Sequence, residues 1–220
     1  MTPLLKICGL RSNDQAAAIA GLGVDAIGVI AVKASPRWVP QEDRTSLFRS
    51  IAAMAPSCRR VLVMANPGEQ ELKGLRLGDD SPTTLQLHGD ESPEHCRQLR
   101  DRFPQLELWK ALRIRRPSDL AQAAPYSSVV DALLLDAWVP DQLGGTGHRL
   151  PLEWLAGFSP PLPWWLAGGI RADRVAEVLK AVQPSGLDAS SGVERAPALK
   201  DMEAVEALLA AVRTWPAALH

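Results

Sequence analysis

Short apolar runs recur along the chain at even spacing, each followed by an amphipathic stretch. The runs are LLKIC (4–8), DAIGVI (25–30), RVLVMA (60–65), TTLQLH (83–88), LELWKAL (106–112), DALLLD (131–136), PWWLAG (163–168) and GLDAS (186–190). Each is too short and too apolar for a surface helix, and the pattern predicts parallel strands buried on both faces. Between them, SNDQAAAIAGLG offers Ser12 or Asn13 as a helix N-cap and Gly21 or Gly23 as a stop. SPEHCRQLRDRF places Ser92 at the cap, Pro93 at the first helical position and Glu94 in the first turn. RADRVAEVLKAV carries Val175, Val178, Leu179 and Val182 at helical spacing ahead of Pro184, and DMEAVEALLAAVR closes the chain behind Asp201. Weaker helical patterns fall near 41–54, 68–77, 117–124 and 151–157. Eight strands alternating with eight helices, at roughly 25 residues per unit, predict one layered α/β domain over residues 1–220. An open doubly wound sheet would alternate in the same way. Eight units without a nucleotide fingerprint favour a single (β/α)8 TIM barrel.

A barrel strand should be apolar on both faces, so its polar residues are informative, and period two says which way they point. Lys6 and Cys8 share a face of the first strand, as Gln86 and His88 do in the fourth. Asp136 ends the sixth strand and Asp188 lies in the eighth. All fall at or near C-terminal strand ends, the face on which barrel enzymes build their sites. Any one of them is as readily a hydrogen-bonded strand end as a functional group; their convergence on one rim favours function. Glycine-rich segments follow the last two strands: Gly168 and Gly169 before a helix expected to start near Ala172, then Ser190, Ser191 and Gly192. Bare amides there suit a phosphate, which barrels hold at these loops, although tight turns would use the same residues. LGGTGH (143–148) lacks the spacing and lysine of a P-loop and reads as a mobile loop beside Asp136. Arg37, in ASPRW after the second strand, has the fork that suits a carboxylate, and a solvated loop arginine is the competing reading.

Composition narrows the class. With 46% hydrophobic residues in 220, the chain can bury a core without staples, and a net charge of −1 gives no footprint for nucleic acid or an acidic membrane. Cys8, Cys58 and Cys96 form no C-x-x-C pair and point to a reducing compartment without a zinc site. The N-terminal apolar run is too short for a signal peptide, so the expected location is the cytoplasm. Cys96, on a helix, reads as packing, and Cys58 begins its strand at the wrong end for catalysis.

The blocks KICGLRSNDQ, SPRWV, LQLHGDESPEHCRQL, LLLDAWVPDQLGGTG, LAGGIRADRVAEVL and GLDASSGVERAPALKD occur in this order. Together they resemble the phosphoribosylanthranilate isomerase family of tryptophan biosynthesis, from about Leu4 to Arg213, with LWKALRI and QLGGTG most similar to cyanobacterial or other bacterial members. The resemblance implies a (β/α)8 enzyme that converts N-(5-phosphoribosyl)anthranilate to 1-(2-carboxyphenylamino)-1-deoxyribulose 5-phosphate by an Amadori rearrangement. This is the third step of the tryptophan branch from chorismate, with no metal or organic cofactor, in a monomer or homodimer. It implies Cys8 as general base, Asp136 as general acid, Arg37 for the anthranilate carboxylate, and Gly168, Gly169, Ser190, Ser191 and Gly192 for the phosphate. Lys6, Gln86, His88 and Asp188 are supporting candidates, Lys6 because its charge would favour a Cys8 thiolate. The chain departs from the family in VIAVKASPR, where many members have PKSPR with aromatic neighbours, and at His148, where a lysine is usual. The competing readings are a histidine-pathway aminoaldose isomerase, which carries aspartate where Cys8 stands, indole-glycerol phosphate synthase, and a non-catalytic phosphosugar-binding barrel.

Overall fold

The structure is a computed structural model and describes residues 2–137 and 149–216. Eight parallel strands close into a barrel in sequence order: β1 (Leu4–Cys8), β2 (Ala26–Ile30), β3 (Arg59–Met64), β4 (Thr84–Leu87), β5 (Glu107–Ile114), β6 (Ala132–Ala137), β7 (Trp164–Leu166) and β8 (Gly186–Ala189). β1 closes on β8 with Lys6 opposite Asp188. The helices α1 (Asn13–Gly21), α2 (Gln41–Met54), α3 (Glu69–Lys73), α4 (Pro93–Arg102), α5 (Val175–Ala181) and α6 (Met202–Arg213) lie between or after the strands.

The local chemistry acts as its residue types require. Ser12, Ser92 and Asp201 each accept a backbone N–H in the first turn of α1, α4 and α6. Two of the weak helical patterns do not become α-helices. Pro117–Tyr126, with Pro125 inside it, and the four-residue Leu152–Leu155 form 3-10 turns. The pattern at 41–54 instead forms the longest helix, because Leu47, Phe48 and Ile51 bury one face against the sheet. The helix expected near Ala172 opens with a 3-10 turn, Ala172–Arg174, before α5. After β8 the chain forms an antiparallel hairpin that the apolar pattern does not predict, β9 (Glu194–Ala196) and β10 (Leu199–Lys200). Among the described residues no helix is long and apolar enough to cross a membrane.

Strand residues divide between two cores. One set packs outward with the helices; the other, including Ala26, Val61, Val63, Trp109, Ala111, Leu134 and Trp165, fills the barrel. Cys58 and Cys96 belong to the outer core, as packing. Inside, the Trp109 and Trp165 rings meet at 4.7 Å. Gly186 makes room for them, because a Cβ there would stand 2.3 Å from the Trp165 ring. Gly186→Ala should therefore destabilise the barrel by about 1–3 kcal/mol, the usual cost of overpacking. Urea unfolding with an unchanged m-value is the check.

Candidate active site

The C-terminal rim brings the polar strand residues together in four groups. On the β1–β8 seam, Lys6 Nζ bonds Asp188 Oδ2 at 2.9 Å with the lysine fully buried. Burial works against the Lys6 charge, but Asp188 and Cys8 together outweigh it, and the ammonium sits above its ordinary value. Cys8 lies one step up the same face, toward the mouth. A Cβ on Gly28 would stand 2.6 Å from its sulfur, so the facing glycine of β2 gives the thiol its space. Burial pushes the Cys8 thiol above its ordinary value; Lys6 opposes this, Asp188 reinforces it, and Lys200 opposes it again. The thiolate-favouring influence expected of Lys6 is therefore present, and in the protein alone burial outweighs it.

Across the barrel, Gln86 Nε2 and His88 Nδ1 are 2.9 Å apart, and His88 Nε2 stands 3.4 Å from Asp136 Oδ2. That last contact is close enough for an ion pair but not aligned as a hydrogen bond, since His88 Nε2 has no such partner among the described residues. Asp136 Oδ1 accepts from the Ala137 amide at 2.9 Å. Gln86 Oε1 and Asp188 Oδ1 are also buried without a hydrogen-bond partner. Unmet polar atoms concentrated on the inner face of one rim mark a surface built for a polar ligand.

Arg37 is held as a fork. Its Nε and Nη2 donate to the two carboxylate oxygens of Glu194 at 2.8 and 2.6 Å, and its stem lies against Gly9, where a Cβ would meet Cδ at 2.4 Å. Glu194 also accepts from Lys200 Nζ at 2.6 Å. The bond to Glu194 raises the Arg37 value, and burial opposes it. For Glu194 burial works upward, yet the two cations hold the carboxyl below its ordinary value.

The fourth group is the pair of loops after β7 and β8. Gly168 and Gly169 take positive φ of 94° and 64°, a backbone that favours glycine, and Arg174 Nη1 ties down both of their carbonyls. Gly192 packs on this loop so closely that a Cβ would stand 2.2 Å from the Ile170 oxygen. Ser191 starts the 3-10 turn containing Gly192, and Ser190 Oγ donates to the Cys8 carbonyl at 3.2 Å. The loop LGGTGH expected beside Asp136, with His148, lies outside the described residues.

Three residues of this rim escape the sequence reading. Glu194 and Lys200 sit on the unpredicted hairpin. Arg113, in register with Asp136, shares the inner face of β5 with Trp109 and Ala111 and pairs with Asp90. The alternation of LELWKALRI carried the Arg113 signal; Glu194 and Lys200 left none, since neither lies in an apolar run. Below the rim, Lys110 Nζ bonds Glu91 at 2.9 Å and the Gly89 carbonyl at 2.7 Å, and Glu91 receives the Asn66 and Gly89 amides. This buried pair ties together the chain after β3 and β4 and the strand β5.

A closed (β/α)8 barrel with an acid, a thiol and two glycine loops on its C-terminal rim defines an enzyme of the small-metabolite barrel class. A profile of the N-(5'-phosphoribosyl)anthranilate (PRA) isomerase family matches residues 5–211. The chain belongs to this family of isomerases. It is 49% identical over 206 residues, 94% of either chain, to N-(5'-phosphoribosyl)anthranilate isomerase of Synechocystis. The crystal structure of the Thermus thermophilus enzyme matches with a TM-score of 0.81 and 30% identity, covering 97% of this chain and 100% of that one. A phosphoribosylanthranilate isomerase in complex with reduced 1-(o-carboxyphenylamino)-1-deoxyribulose 5-phosphate matches with a TM-score of 0.79 and 25% identity, covering 96% and 98%.

The rim brace makes its own prediction. Lys110→Met should cost about 3–5 kcal/mol, because Glu91 keeps a buried charge without its cation. The double variant Lys110→Met with Glu91→Leu should recover much of that loss, as read by equilibrium urea unfolding.

Proposed function

We propose that the chain isomerises N-(5-phosphoribosyl)anthranilate to 1-(2-carboxyphenylamino)-1-deoxyribulose 5-phosphate, with Cys8 as general base and Asp136 as general acid. The observation that carries this reading is the placement of the two groups at the C-terminal ends of β1 and β6, three strands apart around the closed barrel. The solved relative that holds a reduced product analogue supports the substrate class.

The reaction needs one acid and one base on opposite sides of the sugar. Asp136 gives a proton to the ring oxygen as the C1–O bond breaks, the nitrogen lone pair forms C1=N, and the ring oxygen leaves as a hydroxyl. Cys8 thiolate then takes the C2 proton, and the electron pair of the C2–H bond makes the enolamine. Ketonisation adds a proton at C1 and removes the one on the C2 hydroxyl, so the sequence is proton-neutral overall. The amides around Gly168, Gly169, Ser190, Ser191 and Gly192 hold the phosphate, and Arg37, its plane set by Glu194, faces the anthranilate carboxylate. His88, steadied by Gln86, keeps the Asp136 carboxyl from turning away.

Turnover followed by the loss of substrate fluorescence tests the assignment. Cys8→Ser and Asp136→Asn should each lose at least about a hundredfold in kcat, the lower range for a lost acid or base. Full activity in both variants would end this reading.

The pH dependence follows from the raised Cys8 thiol. The base works as thiolate, so kcat/KM should climb with pH through neutrality and on into the alkaline range. Lys6→Met removes the strongest influence favouring the thiolate and leaves Asp188 unneutralised beside it. The rising limb should move to higher pH, by about one unit or more for a charge in contact. A limb that stays in place would remove Lys6 from the account.

A further inference from the structure

The hairpin after β8 presents little to the core except two charges. Leu199 is half exposed, Arg195 and Ala196 are exposed, and the side chains it buries are those of Glu194 and Lys200. A lysine is almost never fully buried without a specific reason. The Lys200 side chain shows no exposed surface, and its ammonium bonds Glu194 at 2.6 Å and the Ser190 carbonyl at 3.1 Å. Ser190 in turn bonds the Cys8 carbonyl. Gln15 of α1 clamps the Lys200 backbone from both sides, donating to its carbonyl at 3.1 Å and accepting its amide at 3.3 Å. The fold thus spends a hairpin and a helix side chain on fixing one ammonium behind the strand end that carries Cys8.

We propose that Lys200 is a positioning residue for the Cys8 base, a second buried cation that favours the thiolate form of the sulfur alongside Lys6, against the burial that opposes it. The proposal rests on the reading of Cys8 as the base and deepens it. Among the described residues, the charged groups facing Cys8 are Lys6 from β1, Asp188 from β8, Lys200 from β10 and Arg37 from the loop after β2. Glu194 of β9 lies between Arg37 and Lys200. Three cations thus stand against two carboxylates, and a thiolate at Cys8 brings the buried cluster to neutrality. Burial lowers the Lys200 ammonium from its ordinary value while Glu194 and Cys8 draw it back up. Lysine and thiol therefore stabilise each other's charged forms, and the coupling is reciprocal.

The test is the alkylation rate of Cys8 by iodoacetamide at neutral pH, read by mass spectrometry of the Cys8 peptide, because only the thiolate reacts. Cys58 and Cys96, pushed up to about 12 and about 11, contribute little. Lys200→Met should alkylate at Cys8 about tenfold more slowly than wild type, the effect of about one unit in the thiol. A purely structural role predicts the opposite sign, since a loosened hairpin would open the site and speed alkylation. Lys200→Gln, a neutral side chain that still carries N–H donors, provides the same comparison should Lys200→Met fail to fold. A folded neutral variant that alkylates as fast as wild type, or faster, overturns the proposal. The readout needs no turnover, so it separates from the base assignment: slowed alkylation with an active Cys8→Ser would keep Lys200 and discard Cys8 as base.

Discussion

The barrel closes where β1 meets β8, and the Lys6–Asp188 ion pair sits inside that seam. A parallel barrel has no edges only if its first and last strands find each other, across nearly the whole length of the chain. Placing a charged pair there is costly in desolvation, and the pair is tolerated because each partner meets the other at hydrogen-bond distance. The same seam carries Cys8 and leads into Ser190, so the closure of the fold and the assembly of the rim are one event. If the register of β1 on β8 slipped by one residue, Lys6 and Cys8 would turn into the helix layer and no site would form.

Charge is distributed over the rim with a division of labour. Around Cys8, cations outnumber carboxylates, and burial opposes ionisation of the thiol with nothing but those cations to offset it. Around Asp136, the Ala137 amide and a histidine braced by a glutamine supply contacts to the carboxylate among the described residues. Between the two sides the floor is apolar, made by Trp109 and Trp165. Below the loops, Lys110 and Glu91 act outside the barrel as a structural brace with every contact met, in contrast to the unmet polar atoms on the inner face.

The strands were legible because a parallel strand buried on both faces leaves an apolar run that few other elements produce. LLKIC coincides with β1, and the other runs agree within a residue or two at most ends. The inward direction of Lys6, Cys8, Gln86 and His88 followed from alternation alone. The segments 117–124 and 151–157 read as helices but became 3-10 turns, because Pro125 and short length override a weak amphipathic pattern. The β9–β10 hairpin was illegible: strands of three and two residues, with only Glu194 and Lys200 turned inward, fall below any period that a pattern can show.

By itself, the order of residues determined the eight-fold alternation, the inward face of each strand and the rim on which the chemistry-bearing groups converge. Local periodicity and steric preference act within a few residues, and those features need nothing more. Only the tertiary structure decided who partners whom. Arg37 meets a glutamate 157 residues away, and Lys6 meets Asp188 across 182. It also decided that Gly28 and Gly192 give way to a sulfur and a backbone oxygen, and that burial governs the thiol. Those outcomes depend on distance and desolvation in three dimensions, and a linear chain carries neither until the barrel has closed.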